Sequence, residues 1–194
     1  MNEVKINKNL KNEVKKIKLL LSKVEEKKLV NYSALVRECI KSIKKRGKII
    51  FFGNGGSASD AQHLATELTV KYKKIRKALP AISLATDTSA LTAIGNDFSF
   101  DKIFERQIEA LGNKNDIAIA ISTSGNSNNL IRATRLANKI GMKTFCLVGN
   151  NGGKLKKYTR YPIIVPSNEV SHIQAAEIII GQCLCFEIEN YFSK

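Results

Sequence analysis

Five short apolar runs, interspersed with helical patterns, constrain the fold of this chain more than any other feature. The runs are continuously apolar, as in parallel strands buried on both faces, and they lie at 48–53, 81–86, 116–122, 143–149 and 161–166. Helical patterns lie between the runs and after the last one, at 58–70, 88–94, 100–111, 127–140 and 169–192. Alternating strands and helices are typical of a parallel sheet with helices on both faces. We therefore predict an α/β protein, a three-layer αβα sandwich around a five-stranded parallel sheet.

Two further helices are predicted before the first strand. The first carries apolar residues at the spacing of a heptad seam, by which a helix packs on other helices: Leu10, Val14, Ile17, Leu21 and Val24. The second ends at Gly47, and its apolar face comprises Tyr32, Leu35, Val36, Cys39, Ile40 and Ile43. The sequence thus divides into an N-terminal helical segment, residues 1–46, and an α/β domain, residues 47–194.

The chain is strongly basic, with 32 Lys and Arg against 17 Asp and Glu among its 194 residues. The excess is greatest in residues 1–48, where the lysines are scattered between Leu, Ile and Val. Scattered lysines of this kind are typical of a solvated helix face rather than of a nucleic-acid site. We therefore do not expect nucleic acid as a partner.

The cysteines and the lengths of the apolar runs bear on location. No CxxC pair occurs, and apolar neighbours favour buried, reduced thiols at Cys39, Cys146, Cys183 and Cys185. No signal peptide opens the chain, and no apolar run is long enough for a membrane span. We expect a cytoplasmic protein that does not enter a membrane.

Two strand-to-helix loops are rich in small polar residues, GNGGSAS at 53–59 and ISTSGNS at 121–127. Backbone N–H groups at a helix start, together with hydroxyl donors, form a pocket for an anion such as a phosphate. The hydroxyls are those of Ser57, Ser122, Thr123, Ser124 and Ser127. Helix capping explains either loop alone equally well. Two such loops at neighbouring strand ends favour a phosphorylated ligand.

A dinucleotide site is a competing interpretation of the first loop. Gly53, Gly55 and Ala58 satisfy the pattern G-x-G-x-x-[GA] after a strand. The acidic residue expected about 20 positions later is missing, because Asp87 lies nearer to 30 positions beyond the motif. This interpretation also gives the second loop no role.

The helix after the first loop carries Asp60, His63 and Glu67 on one face. His and Glu one turn apart can bind an ion such as Zn²⁺, act as an acid/base pair, or form an ordinary surface ion pair. Because this face leaves the predicted anion loop, the pair is within reach of a ligand held there.

Taken together, these motifs resemble the SIS (sugar isomerase) domain family and, within it, the phosphoheptose isomerases that act on sedoheptulose 7-phosphate. The resemblance spans about residues 30–190 through GNGGSASDAQHLATEL, LPAISLATDTSALTAIGNDFSF, ERQIEALG, ISTSGNS, GMKTFCLVGNNGG and the IQ of SHIQAAE. It implies a flavodoxin/Rossmann-like SIS fold. It also implies a homotetramer with the N-terminal helices in its core, which makes residues 1–46 an oligomerisation segment.

The resemblance also implies roles for individual residues. Phosphate would be bound by Ser57, Ser122, Ser124 and Ser127, and the sugar by Asn54, Gly55, Asp97, Thr123 and Gln174. A divalent metal, taken to be Zn²⁺, would be held by His63, Glu67 and Gln174. Glu67 would also be the carboxylate that transfers the proton.

The chain departs from the family pattern near its C-terminus. The family reads RIQE-x-H and then has a histidine eight residues after the glutamine, as metal ligand and second acid/base group. Here that position is Gln182, which cannot titrate but can offer a carbonyl oxygen to a metal. His172 occupies the family's arginine position, where it is a candidate acid/base group, phosphate contact or helix-start residue.

The expected function is an aldose–ketose isomerase converting sedoheptulose 7-phosphate to D-glycero-D-manno-heptose 7-phosphate, for heptose in lipopolysaccharide or capsule. The reaction moves a proton between C1 and C2 through an enediol, which requires a proton shuttle and a group that polarises the oxygens. Two alternatives remain: a non-catalytic SIS protein of the replication-initiator-associating kind, and an isomerase of another sugar phosphate. The presence of Glu67 and of both loops favours catalysis.

Overall fold

The predicted apolar runs form a single parallel sheet. The computed structural model describes residues 3–26 and 30–193, and its strands are β1 Ile49–Gly53, β2 Ala81–Ser83, β3 Ile117–Ser122, β4 Lys143–Gly149 and β5 Tyr161–Val165. Their order in the sheet is β2-β1-β3-β4-β5, with every pair parallel. The predicted α/β fold is confirmed. Strand β2 is shorter than its apolar run because Ser83 turns the chain, accepting a hydrogen bond from the Thr86 hydroxyl at its carbonyl.

Helices occupy the predicted intervals between the strands. Their bounds are α1 Glu3–Glu26, α2 Val30–Lys44, α3 Gly56–Thr69, α4 Thr88–Asp97, α5 Ile103–Leu111, α6 Asn128–Ile140 and α7 Val170–Phe192. The predicted helix at 100–111 is divided into a 3₁₀ turn, Phe100–Lys102, followed by α5. A second 3₁₀ turn, Leu155–Lys157, lies between β4 and β5.

Both faces of the sheet are buried, which explains why its strands are apolar throughout. Along β1, Ile49 and Phe51 point into a core shared with α1, α2, α3 and α7. Ile50 and Phe52 point into the opposite core, which α5 and α6 cover. Because successive strand residues point to opposite faces, a strand covered on both sides needs apolar residues at every position.

The connections place one crevice at the middle of the sheet. From β1 the chain crosses through α3 to β2 on one side, and from β3 it crosses through α6 to β4 on the other. The carboxyl ends of β1 and β3 are therefore a topological switch point, where open α/β sheets bind their ligands. The two polar loops identified in the sequence follow these two strands.

The N-terminal helices differ in how far they pack on this body. The apolar face predicted for α2 is confirmed, since Leu35 and Cys39 are fully buried in the core. In α1, Val24 is buried at the C-terminal end of the heptad seam, whereas Leu10 and Val14 are 65% and 43% exposed. Within one chain, only the C-terminal part of the seam finds the packing predicted for it.

The burial of the cysteine side chains largely agrees with the prediction. All four cysteines are free; Cys39, Cys146 and Cys185 are buried, as expected, but Cys183 is exposed. Cys183 and Cys185 lie in α7, where residues two apart point in different directions, so only one of them can face the core. Among the described residues, no helix combines the length and the apolar character needed to cross a membrane.

Candidate functional site

A small polar cavity lies at the switch point between the ends of β1 and β3. Its volume is about 70 Å³, and its lining comprises Asn54, Ser57, Ile121, Ser122, Thr123, Ser124, Ser127 and Leu130. Pockets that enclose a whole small molecule measure roughly 300 to 1,000 Å³, so this cavity has room for one terminal group of a ligand. The structure thus brings six residues predicted to bind substrate, from two distant loops, to one place.

Two helices point their N-termini towards this cavity, α3 from the first loop and α6 from the second. Helix N-termini carry partial positive charge and N–H groups free to bind an anion. The N-cap residues do not satisfy these groups with side chains: Gly55 has none, and the Ser127 hydroxyl makes no capping hydrogen bond. This observation weighs against helix capping as the reason for these residues and favours an anion site.

The serines of the second loop also shape its turn. Ser122 Oγ accepts the backbone N–H of Gly125 at 3.0 Å, and Ser124 Oγ accepts that of Asn126 at 3.1 Å. Each hydroxyl uses an acceptor lone pair in this way and keeps its O–H to donate to a ligand. Gly125 has a φ of +64° and packs on the backbone of Gly152, where a Cβ would collide. Glycine is required here both for its conformation and for its lack of a side chain.

A residue that sequence reasoning missed joins the two loops. Asn129, near the start of α6, is 2% exposed and exchanges two side-chain hydrogen bonds with Asn54, of 3.0 and 2.9 Å. An amide pair of this kind fixes the spacing between the loops on either side of the cavity. The available signal was an asparagine preceding Leu130 on the buried face of an amphipathic helix.

Other residues predicted to bind substrate lie outside the cavity lining. Gly55 is exposed at the turn into α3, with a φ of +55°. Gln174, in the first turns of α7, lies against Gly56, because a Cβ added there would collide with its carboxamide. Asp97 lies at the end of α4 and accepts a hydrogen bond from Asn96. Within one chain, Gln174 adjoins the first loop, whereas Asp97 is exposed and does not line the cavity.

His63 and Glu67 form the contact that their spacing predicted. His63 Nε2 lies 2.9 Å from Glu67 Oε1, one turn apart on α3. The histidine side chain is 48% exposed and the glutamate 17%, so both are accessible to a ligand. The arrangement suits either an acid/base pair or two ligands of a divalent cation.

The predicted metal ligands are only partly assembled in a single chain. His63 and Glu67 offer a nitrogen and a carboxylate oxygen of the kind zinc prefers. Gln174 and Gln182 can add only amide oxygens and are about 12 Å apart along α7, at 1.5 Å per residue. No group of three or more His, Cys, Asp or Glu side chains suited to a metal occurs among residues 3–26 and 30–193. His63 and Glu67 are therefore suited to be two ligands of one metal ion. In the described part of the chain, no third strong ligand lies beside them.

A pair of carboxyl groups, Glu177 buried and Asp60 half-buried, lies between α3 and α7 close to His63. Glu177 is 1% exposed, and neither of its oxygens nor Asp60 Oδ2 has a hydrogen-bond partner in the described part of the chain. Burial, and then the nearby Asp60, raise the pKa of Glu177 to about 9. Burial also raises the pKa of Asp60, against the opposing effect of His63. Glu177 is therefore protonated at neutral pH. Its signal in the sequence was a lone carboxyl within an apolar stretch.

The structure gives His172 a contact with the N-terminal helix. It is buried at the start of α7, and its Nε2 lies 2.8 Å from Glu13 Oε2 of α1. Its ring does not line the serine cavity. Gln182 is half-buried nearly three turns further along α7, next to Gly181, whose Cα packs against Leu64 of α3.

A larger cavity, of about 710 Å³, lies at the opposite edge of the sheet and is lined in part by Lys45, Arg46 and Lys114. Helices α2, α5 and α6 end beside it. Helix C-termini carry partial negative charge, which basic side chains complement and which opposes anion binding. The serine cavity is therefore the better phosphate site, despite its smaller volume.

Comparisons with known proteins identify the family of this chain. The SIS domain family matches residues 14–149. The chain is 53% identical over 154 residues to the phosphoheptose isomerase of Helicobacter pylori strain P12, covering 79% of this chain and 80% of that protein. It is 45% identical over 174 residues to the phosphoheptose isomerase of Aquifex aeolicus, covering 90% of each.

A solved structure gives the same result. Phosphoheptose isomerase GmhA from Neisseria gonorrhoeae matches with a TM-score of 0.90 and 34% identity, over 95% of this chain and 99% of that one. The polar loops at the switch point, with helix N-termini beside them, suit a sugar-phosphate ligand. The similarity to these relatives identifies the family. The chain belongs to the SIS domain family and, within it, to the phosphoheptose isomerases.

Proposed function

We propose that this enzyme interconverts sedoheptulose 7-phosphate and D-glycero-D-manno-heptose 7-phosphate, providing heptose for a lipopolysaccharide or capsule. The observation that carries the proposal is the serine-lined cavity between two helix N-termini, at the start of the helix that bears His63 and Glu67. The cavity holds the phosphate through hydroxyl, amide and backbone N–H donors. The sugar extends from it along α3.

Distances along α3 support a long sugar chain. Ser57 precedes Glu67 by ten residues, about 15 Å of helix axis. An extended chain advances about 1.2 Å per bond, so the eight bonds from phosphorus to C1 of a heptose 7-phosphate span about 10 Å. The four bonds from Cα to a carboxylate oxygen of Glu67 add about 5 Å, directed towards the helix N-terminus. The chain of a pentose 5-phosphate is two bonds shorter, so its C1 would lie further from the Glu67 carboxylate.

Glu67 is the group that moves the proton between C1 and C2. Its carboxylate is accessible and lies 2.9 Å from the imidazole of His63, which orients it. A general base of this kind removes the proton at one carbon and returns it at the neighbouring carbon of the enediol. Glu67→Gln should therefore abolish turnover while the phosphate cavity stays intact.

We further propose that His63 and Glu67 hold a divalent cation, Zn²⁺ or one like it, with Gln174 and the Gln182 carbonyl as further ligands. Because the two glutamines are about 12 Å apart along α7, one ion meets both only in a site assembled from two subunits. Such an ion would polarise the substrate oxygens. Neutral amide ligands make this site weaker than one with two histidines. Metal analysis of protein purified without chelators should find the ion, and His63→Ala should remove it. Metal content unchanged by His63→Ala would place the ion elsewhere.

The exposed apolar side chains of α1 support a homotetramer built around the N-terminal helices. Leu10 and Val14 lie on the predicted seam, and Val4, Ile6 and Leu19 are also exposed on this helix. Exposed apolar side chains at heptad spacing, such as Leu10 and Val14, are typical of a helix that packs against another copy. The reduced thiols fit a cytoplasmic location, where disulfides are rare.

The proposal is tested by incubating the purified protein with sedoheptulose 7-phosphate and measuring the heptose product. Glu67→Gln should abolish conversion, and Ser124→Ala should raise KM; Ser89→Ala, on exposed α4, is the matched control. If the wild-type chain converts nothing while a sugar phosphate raises its melting temperature, it is a sensing or scaffolding SIS protein instead.

A further inference from the structure

The loop between α3 and β2, residues 70–80, is held by one buried ion pair. Arg76 Nε lies 3.3 Å from Glu189 Oε1, and the two side chains are only 2% and 0% exposed. Arg76 belongs to the loop, and Glu189 to the C-terminal half of α7. Charges so far from solvent are costly unless they also make hydrogen bonds. The hydrogen bonds of Arg76 and Glu189 show which segments of the chain this ion pair fixes in place.

Glu189 fixes the backbone of the loop. Its two carboxylate oxygens accept the N–H groups of Tyr72, Lys73 and Lys74, at 2.9, 2.7 and 3.0 Å. Despite the opposing effect of burial, these hydrogen bonds and Arg76 lower the pKa of Glu189. The carboxylate is therefore charged throughout the neutral range, and the loop has a fixed conformation over α7.

Arg76 connects the loop that Glu189 fixes to the C-terminal end of α3. Its Nη2 donates to the carbonyl of Glu67 at 2.8 Å, and its Nη1 donates to that of Leu68, also at 2.8 Å. The last carbonyls of a helix lack partners within the helix, and an arginine here both satisfies them and complements the helix dipole. One of the two carbonyls belongs to the proposed proton-transferring residue itself.

We infer that Arg76 and Glu189 are a positioning pair for Glu67, fixing the final turn of α3 from which its carboxylate reaches the substrate. The inference rests on the proposed function of Glu67. The pair touches neither substrate nor reacting atoms and acts only through the backbone of residue 67. The chain of contacts runs from α7, through the loop, to the Glu67 carbonyl.

The position of the pair separates its effect on turnover from any effect on binding. The phosphate cavity lies at the N-terminal end of α3, about 15 Å along the helix from Glu67. Loosening the C-terminal turn should therefore leave phosphate binding intact while misplacing the carboxylate. A displacement of about 1 Å of a catalytic group can cost about 10²-fold in rate.

The test compares the kinetics of Arg76→Gln, Glu189→Gln and Asn190→Ala with those of the wild-type enzyme on sedoheptulose 7-phosphate. Asn190→Ala is the matched control, because Asn190 also binds the loop, through the Lys74 ammonium at 2.9 Å, without contacting Arg76. We expect kcat to fall about 10-fold to 100-fold in the first two variants, with KM changed less than about threefold. The control should keep both values.

A double-variant cycle distinguishes positioning from general loss of structure. In a Glu67→Asp background, whose shortened carboxylate is already misplaced, Arg76→Gln should lower kcat much less than it does in the wild-type chain. An equal fall in both backgrounds would show only that the folded fraction has decreased. If Arg76→Gln does not fold, the cycle is run with Glu189→Gln, which keeps an oxygen acceptor for the loop.

The outcomes separate this inference from the proposed function. An active wild-type enzyme with unchanged kcat in both variants refutes the positioning pair alone, and so does a rise in KM as large as the fall in kcat. A wild-type chain that does not convert the substrate refutes the role of Glu67, and this inference with it.

Discussion

Replacing Glu177 by glutamine should stabilise this protein, and the gain should depend on pH. The carboxyl is fully buried beside Asp60, without hydrogen-bond partners among the described residues, and its pKa is raised to about 9 from an ordinary value of 4.5. A neutral amide of the same shape removes the cost of keeping a proton there. It can also donate an N–H to Asp60.

The direction of this pH dependence follows from how many protons the folded and the unfolded chain bind. Above pH 4.5 the unfolded chain loses the Glu177 proton while the folded chain keeps it until about pH 9, so folding becomes progressively less favourable across this interval. A tenfold change in proton affinity is worth about 1.4 kcal/mol. The penalty therefore reaches about 3 kcal/mol at pH 7. Glu177→Gln should match the wild type near pH 4.5 and exceed its stability by about this amount at pH 7.

Urea unfolding at pH 5, 7 and 8.5 measures the difference. Protein concentration is held constant because subunit dissociation also contributes to apparent stability. Glu187→Gln is the matched control, on the exposed face of the same helix, and should change little at any pH. If the stability gained by Glu177→Gln does not grow from pH 5 to pH 8.5, Glu177 does not keep its proton in the folded state, and the reasoning fails.

Three further outcomes are expected. Gly125→Ala should lower both the melting temperature and substrate affinity, because its φ of +64° and its close backbone contact exclude a Cβ; unchanged KM would contradict the cavity as phosphate site. Gln182→His should raise kcat, since a positioned acid/base group is worth about 10² or more; no change would indicate that another group already serves. Leu10→Asp combined with Val14→Asp should dissociate the assembly in light scattering, whereas Lys11→Asp on the same helix should not.

Sequence alone was sufficient for the fold and for the convergence of the two polar loops. Continuous apolar runs and period-3.6 patterns are local signals, and they located every strand and the helices between them. The polar loops had to converge because parallel strands of one sheet end at the same edge. For that reason Ser57 and Ser124 could be placed together before any coordinates were known.

Tertiary structure decided everything that depends on how α3 and α7 pack against each other. Asp60 and Glu177 are more than one hundred positions apart, and nothing in either segment reveals that their carboxyl groups lie side by side. The same holds for Arg76 and Glu189, and for the pairing of Asn54 with Asn129. Periodicity reports which face of an element is apolar. It does not report which residue of another element lies opposite, because relative rotation and offset are fixed only when side chains from both elements fill the same volume.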